Sequence, residues 1–133
     1  MDNFNTHNHI SGKFDTELES IHTKLTEMGK VVEKQLSLAI EAFATGNIEM
    51  AELVLQQDYV ADEFEAVIDA QCVSTIALRQ PTGRDLSLLI AIIKVTGDLD
   101  SIAAKAQGIA DTTIHLKRML PSDAVQEVDN DGQ

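Results

Sequence analysis

The chain has no tryptophan, one tyrosine, one cysteine, two prolines and seven glycines in 133 residues. Each scarcity removes a class of structure. A lone Cys72 cannot form an intrachain disulfide, and it fits a reducing compartment. So little Gly and Pro argues against a loop-rich or all-β domain. With 4% aromatic and 44% hydrophobic residues, the core has to be filled by Leu, Ile, Val and Ala, which suits helices packed at close range. No apolar run has the length of a membrane span, and the opening residues do not form a signal-peptide pattern. The expectation is therefore one soluble, cytoplasmic domain with a modest core.

Basic residues are missing from one long stretch. Between Lys34 and Arg79 there is no Lys or Arg, yet the segment carries eight carboxylates: Glu41, Glu49, Glu52, Asp58, Asp62, Glu63, Glu65 and Asp69. Four more (Asp123, Glu127, Asp129 and Asp131) follow Pro121, and these two regions account for the formal net charge of −12. Nucleic acid is an unsuitable partner, since phosphate backbones call for clustered Lys and Arg.

What is present is helical periodicity. From Phe14 to about Ala44, apolar residues recur at Phe14, Leu18, Ile21, Leu25, Met28, Val32 and Ala39, a heptad seam interrupted by Gln35. Gly46-Asn47 breaks this helix, and Asn47 is placed to cap the next. A second helix is expected over about Ile48–Leu78, with Leu53, Val60, Ala61, Phe64, Val67, Ile68 and Cys72 as its apolar side. Pro81 cannot sit in a helix interior, so Arg79 to Gly83 form a turn. A third helix is expected from about Asp85 to Leu120, with a seam of Leu88, Ile92, Val95, Leu99, Ile102, Ala106, Ile109, Thr113, Leu116 and Leu120. The fold class is thus all-α: an antiparallel three-helix bundle of long helices over residues 13–120. Residues 1–12 are expected to be a flexible arm, and residues 121–133 a disordered acidic tail. A core this thin points to a second copy or a partner covering part of it.

On the second helix Asp58, Asp62, Glu65 and Asp69 are spaced 4, 3 and 4 residues apart, which stacks them into one stripe beside the apolar side. Like charges so placed repel, and a divalent cation, a basic helix or a basic partner would each relieve them. The plain alternative is a solvated acidic face. A structural answer would be Lys94 and Lys105 of the third helix neutralising the stripe across the bundle. His7 and His9 form a His-x-His pair without nearby partners, and Cys72 lies on the apolar side as a small core residue. No Gly-rich phosphate loop, nucleophile elbow or His-Glu-x-x-His motif is present, so catalysis is not expected.

Phe14-Asp15, Glu27-Met28-Gly29, Val32 to Leu36, then Asp58, Asp62, Glu65, Ile68 and Cys72, then Gln80-Pro81, Asp85-Leu86, Lys94 and Asp98-Leu99 together resemble the repeat unit of the PhoU family. The resemblance covers about 90 residues. It implies a non-enzymatic, cytoplasmic negative regulator that links the phosphate ABC transporter ATPase to a sensor histidine kinase. Such a protein would lie against the inner membrane only through those partners. Family members generally hold two such three-helix repeats as a six-helix body, which implies that a single repeat pairs with itself as a homodimer. Some members bind metal clusters through carboxylates on helix faces. Carried onto this chain, divalent or iron ions would be held by Asp58, Asp62, Glu65, Asp98 and Asp100. The sequence departs from the family at Ala104, where the partner carboxylate of Asp100 would stand, and at Ser87 and Ser101, where Arg is frequent. The alternatives to a regulator are a metal-binding helical bundle and a purely structural oligomerisation bundle.

Overall fold

The computed structural model describes residues 2–120, with side chains from Gly12 onward. The acidic tail assigned to residues 121–133 lies outside the described residues. Helix α1 spans Asp2–Thr45, α2 Ile48–Gln56, α3 Val60–Arg79 and α4 Gly83–Met119. No strand occurs among the described residues. The chain runs up α1, down α2 and α3, and up α4, and each arm packs against the other two. The expected all-α three-arm bundle is what forms.

Two boundaries differ from the expectation. Helical backbone begins at Asp2 rather than near Phe14, so residues 2–12 continue α1 where an irregular arm was expected. The apolar seam still starts at Phe14, which is the first buried residue of α1 among those described. The second arm is broken at Gln57–Tyr59, where neither Gly nor Pro gives a signal. There the backbone tightens into i→i−3 hydrogen bonds, Gln57 N to Val54 O at 3.1 Å and Val60 N to Gln57 O at 3.2 Å.

A break inside a bundle frees carbonyls that need donors. Two glutamines supply them from opposite sides. Gln35 of α1 donates its Nε2 to Gln57 O at 3.2 Å, and Gln107 of α4 donates its Nε2 to Val54 O at 2.8 Å. This explains the polar interruption of the α1 seam: Gln35 is 1% exposed and clamps the break. The break also divides the core. Below it Ile21, Met28, Val32, Ile68, Cys72 and Leu89 pack together, and above it Ala39, Ala42, Ala51, Val54, Ala106 and Ala110 do so.

The turns follow the sequence. Asn47 Oδ1 accepts the Met50 N–H at 3.1 Å, capping α2, and Gly46 takes the left-handed φ of 67° that the α1 exit requires. Gln80 closes α3 with φ 48°, before Pro81 forbids continuation.

The phase of α4 is rotated from the expectation. Its buried residues are Leu89, Ile92, Thr96, Ala103, Ala106, Ala110, Thr113 and Ile114. Ile92, Ala106 and Thr113 belong to the expected seam. Leu88, Val95, Ile102 and Leu116 do not face the core, and each is more than a third exposed. Leu53 and Val67 of the middle arm are likewise half-exposed. Small residues win the inward position on α4 because they let the helices approach closely. The Thr96 and Thr113 hydroxyls are satisfied by bonds to Ile92 O and Ile109 O in their own helix.

At the foot of the bundle Arg79 ties α3 to α1. Its Nε and Nη2 both donate to Glu17 Oε1, at 3.1 and 2.6 Å, and both side chains are about one-quarter exposed. The Arg79 hydrogen bond lowers the Glu17 carboxyl below its ordinary value against the opposing effect of burial, with help from Thr75 and Lys13. A depressed carboxyl contributes stability above its unfolded pKa, and that contribution is lost as pH falls through the folded value. Arg79→Met is therefore expected to cost about 2 kcal/mol at pH 7, between the exposed and fully buried limits for an ion pair. Urea titrations should show the deficit shrinking as pH falls through the folded pKa of Glu17, where the carboxylate takes up its proton and the ion pair is lost.

Candidate functional site

The antiparallel register of α3 and α4 brings three carboxylates together. Asp62 and Glu65 lie one turn apart on α3, and Asp100 faces them from α4. One oxygen from each lies within 4.8 Å of the others. Asp62 is exposed, while Glu65 and Asp100 are half-buried. Glu65 Oε2 sits 3.6 Å from the place a Cβ on Gly97 would take, so its head group rests against the α4 backbone. Two turns beyond Asp62, Asp69 buries its Oδ1 without a hydrogen-bond partner.

The electrostatics of this cluster are unfavourable as it stands. The Asp100 carboxyl is pushed up from its ordinary 3.8 to about 6. Burial is the largest cause, followed by a hydrogen bond with Asp62 and by the negative charges of Glu65 and Asp62. Among the described residues the ion pairs are Arg79–Glu17 and Lys94–Asp98, and neither answers the cluster. The expectation that Lys94 and Lys105 neutralise it across the bundle is not met. Lys94 reaches back to Asp98 at 3.7 Å in a solvent-exposed pair on its own helix. Lys105 lines a groove shared with Ile40 and Phe43 of α1.

The donor set fits a hard cation. Carboxylate oxygens are the natural ligands of such ions, and two ligands about 2.4 Å from one ion stand at most about 4.8 Å apart. Of the five residues expected to hold metal, Asp62, Glu65 and Asp100 meet. Asp58 does not join them, because it falls in the Gln57–Tyr59 break and is exposed there. Asp98 does not join them either, because it points to solvent beside Lys94. Gly97 was missed in the sequence, because an isolated glycine inside a helical pattern is tolerated at a modest cost and does not by itself mark a site. Asp69 belonged to the stripe, but nothing in its spacing showed that one oxygen would be buried.

Cys72 is fully buried, and burial, helped by the charge of Asp69, pushes its thiol upward. That is the behaviour of a core residue, not a nucleophile. No helix among the described residues is long and apolar enough to cross a membrane.

The family model for the PhoU domain matches residues 25–113, which span most of the bundle and the whole carboxylate cluster. The chain belongs to the PhoU domain family. It is 43% identical over 114 residues to the phosphate-specific transport system accessory protein PhoU of Serratia marcescens, covering 86% of this chain and 47% of that protein. Against the Escherichia coli (strain K12) protein of the same name, identity is 42% with the same coverage. Among solved structures, the phosphate transport system regulatory protein PhoU from Streptococcus pneumoniae superposes with a TM-score of 0.74 at 28% identity, over 86% of this chain and 55% of that one. The chain thus spans about half the length of the PhoU relatives it matches.

Seen as a PhoU domain, the departure at Ala104 has a structural counterpart. One helical turn beyond Asp100 on α4, the antiparallel register reaches the level of Asp58. With alanine at 104 and Asp58 exposed in the break, Asp62, Glu65 and Asp100 are the carboxylates that meet among the described residues.

Proposed function

We propose that the chain is a non-enzymatic, cytoplasmic regulator of phosphate transport that acts by protein–protein contact. In this reading it restrains phosphate uptake and the phosphate-starvation response when phosphate is plentiful. Its partners are the ATPase of the phosphate transporter and a sensor histidine kinase, through which it sits beside the inner membrane. The observation that carries this reading is the likeness over 86% of the chain to proteins named for the phosphate-specific transport system. The uncompensated carboxylates of α3 and α4 supply a surface for a basic partner, because a positive side chain there relieves repulsion already present in the free protein. Alkaline phosphatase output in phosphate-rich medium is expected to rise when the gene is removed and to fall when residues 1–133 are restored. Unchanged output would contradict the regulatory role.

A second reading has a specific observation in its favour. Asp62, Glu65 and Asp100 have the donor chemistry and spacing to hold one divalent or iron ion. Bound there, the ion would supply charge that pins α3 to α4, and the same carboxylates would then be occupied rather than open to a basic partner. Self-pairing belongs to the proposal as well. The relatives carry about as much chain again beyond the matched part, and a homodimer would restore a body of that size.

A further inference from the structure

The rotation of α4 leaves it with two seams. The inward one is made largely of small residues. The outward one is Leu88, Val95, Ile102, Ile109 and Leu116, repeating every seven residues over four heptads. Four of these five are between 37% and 46% exposed, and Ile109 is half-buried. A strict seven-residue apolar repeat is what a helix presents to another helix in a coiled coil. Within the bundle Ile109 packs against the upper core, while Leu88, Val95, Ile102 and Leu116 each leave more than a third of their surface open. Beside it, Ile40 and Phe43 of α1 are each about half-exposed. With Lys105, Gly108, Ile109 and Thr112 they line an open groove of about 600 Å³.

We infer that this face binds a second copy of the chain, α4 against α4 and antiparallel, with the twofold axis beside Ile102. The inference rests on the self-pairing reading above and assigns it a surface and a register. Symmetry and charge select the occupant. An isologous contact requires a patch that is its own complement under a twofold rotation. About Ile102 this stripe is such a patch. Leu88 falls beside Leu116 of the second copy, and Val95 beside Ile109. Asp98 falls beside Lys105 of the second copy, twice over, so that opposite charges meet at both ends of the central layer. Val95 of the second copy also comes level with the groove between Phe43 and Ile109. The exposed, 3.7 Å pair with Lys94 does not hold Asp98 away from this partner. From Leu88 to Leu116 the seam is about 42 Å long, and Ile40 and Phe43 widen the apolar face beyond α4 toward α1.

The test is sedimentation equilibrium of the 133-residue chain with charge reversals, each variant checked for helicity and thermal unfolding. The wild type is expected to dimerise. Asp98→Lys and Lys105→Asp should each weaken the dimer about tenfold or more, and the double reversal should bring the dissociation constant back to within about threefold of wild type, since it recreates opposite charges. Both residues reversed, Asp98 and Lys105, lie on the surface, so folding should be retained. Ile102→Cys should form a disulfide-linked dimer on mild oxidation, while the wild type, whose Cys72 is buried, should not. A dimer indifferent to both reversals, or one without the crosslink, would overturn this surface while leaving self-pairing intact. A monomer at every concentration would overturn both.

Discussion

Leu89→Ala is expected to destabilise the bundle by about 3–4 kcal/mol, and Leu88→Ala in dilute solution by less than about 1 kcal/mol. The two leucines are neighbours in sequence and identical in chemistry. Leu89 is 0% exposed and packs in the lower core with Met28, Ile68 and Cys72, whereas Leu88 is 42% exposed on the outward seam. Truncating a buried leucine forfeits its transfer free energy and leaves a cavity that long, mutually braced helices cannot fully collapse. For a domain whose whole stability is on the order of 5–15 kcal/mol, that loss is a large fraction. Urea denaturation of the two variants reads the phase of α4 directly. Equal losses, or a greater loss at Leu88, would show that the helix is rotated toward the seam its sequence pattern first suggests.

The second large effect concerns Asp100. With chelator present at pH 7, Asp100→Asn is expected to stabilise the protein by about 1 kcal/mol, a figure reduced from the full shift because water screens the partly exposed cluster. The sign follows from linkage. Its folded pKa of about 6 lies above the ordinary 3.8. Between those values the native state holds a proton that the unfolded chain has lost. The stabilisation linked to that proton is complete below about pH 4 and is lost as pH rises through about 6. Asparagine cannot ionise, so its advantage should be present at pH 7 and absent near pH 4. Adding a divalent cation then separates the two readings of the cluster. If Asp62, Glu65 and Asp100 hold an ion, wild type should gain about 2.7 kcal/mol at a hundredfold excess over the dissociation constant, and Asp100→Asn should gain far less. If the cluster serves a basic partner alone, the cation should move both proteins equally and little.

Much of the architecture was legible because it rests on local rules. The 4-3 apolar spacing gave the helices, Gly46-Asn47 and Gln80-Pro81 gave the turns, and Asn47 forms the cap its residue type allows. Helix phase was less legible on α4, which has apolar residues around most of its circumference. Leu88 and Leu89 both satisfy a hydrophobicity rule, and only packing against α1 and α3 decides between them. The break at Gln57–Tyr59 was hidden for a related reason. It is held by distant amides, Gln35 and Gln107, and not by a local breaker. A buried glutamine in an apolar seam was the one available sign.

The candidate site divides along the same line. Asp62 and Glu65 were found from their spacing on one helix, and Asp100 from its family position. That these three meet while Asp58 and Asp98 stay apart depends on the register between α3 and α4, which no spacing within a helix records. Lys94 illustrates the limit from the other side. A lysine can reach a carboxylate across the bundle or one turn along its own helix, and here it takes the near one.

The most direct test of the account is repression in cells by a protein whose cluster has been neutralised. Alkaline phosphatase output would be measured in phosphate-rich medium in a strain lacking the gene, complemented with wild type or with Asp62→Asn, Glu65→Gln and Asp100→Asn combined. Wild type is expected to repress, and the triple variant, present at equal level and at least as stable, is expected not to. Full repression by the triple variant would contradict this, and would show that repression does not need the carboxylates of α3 and α4.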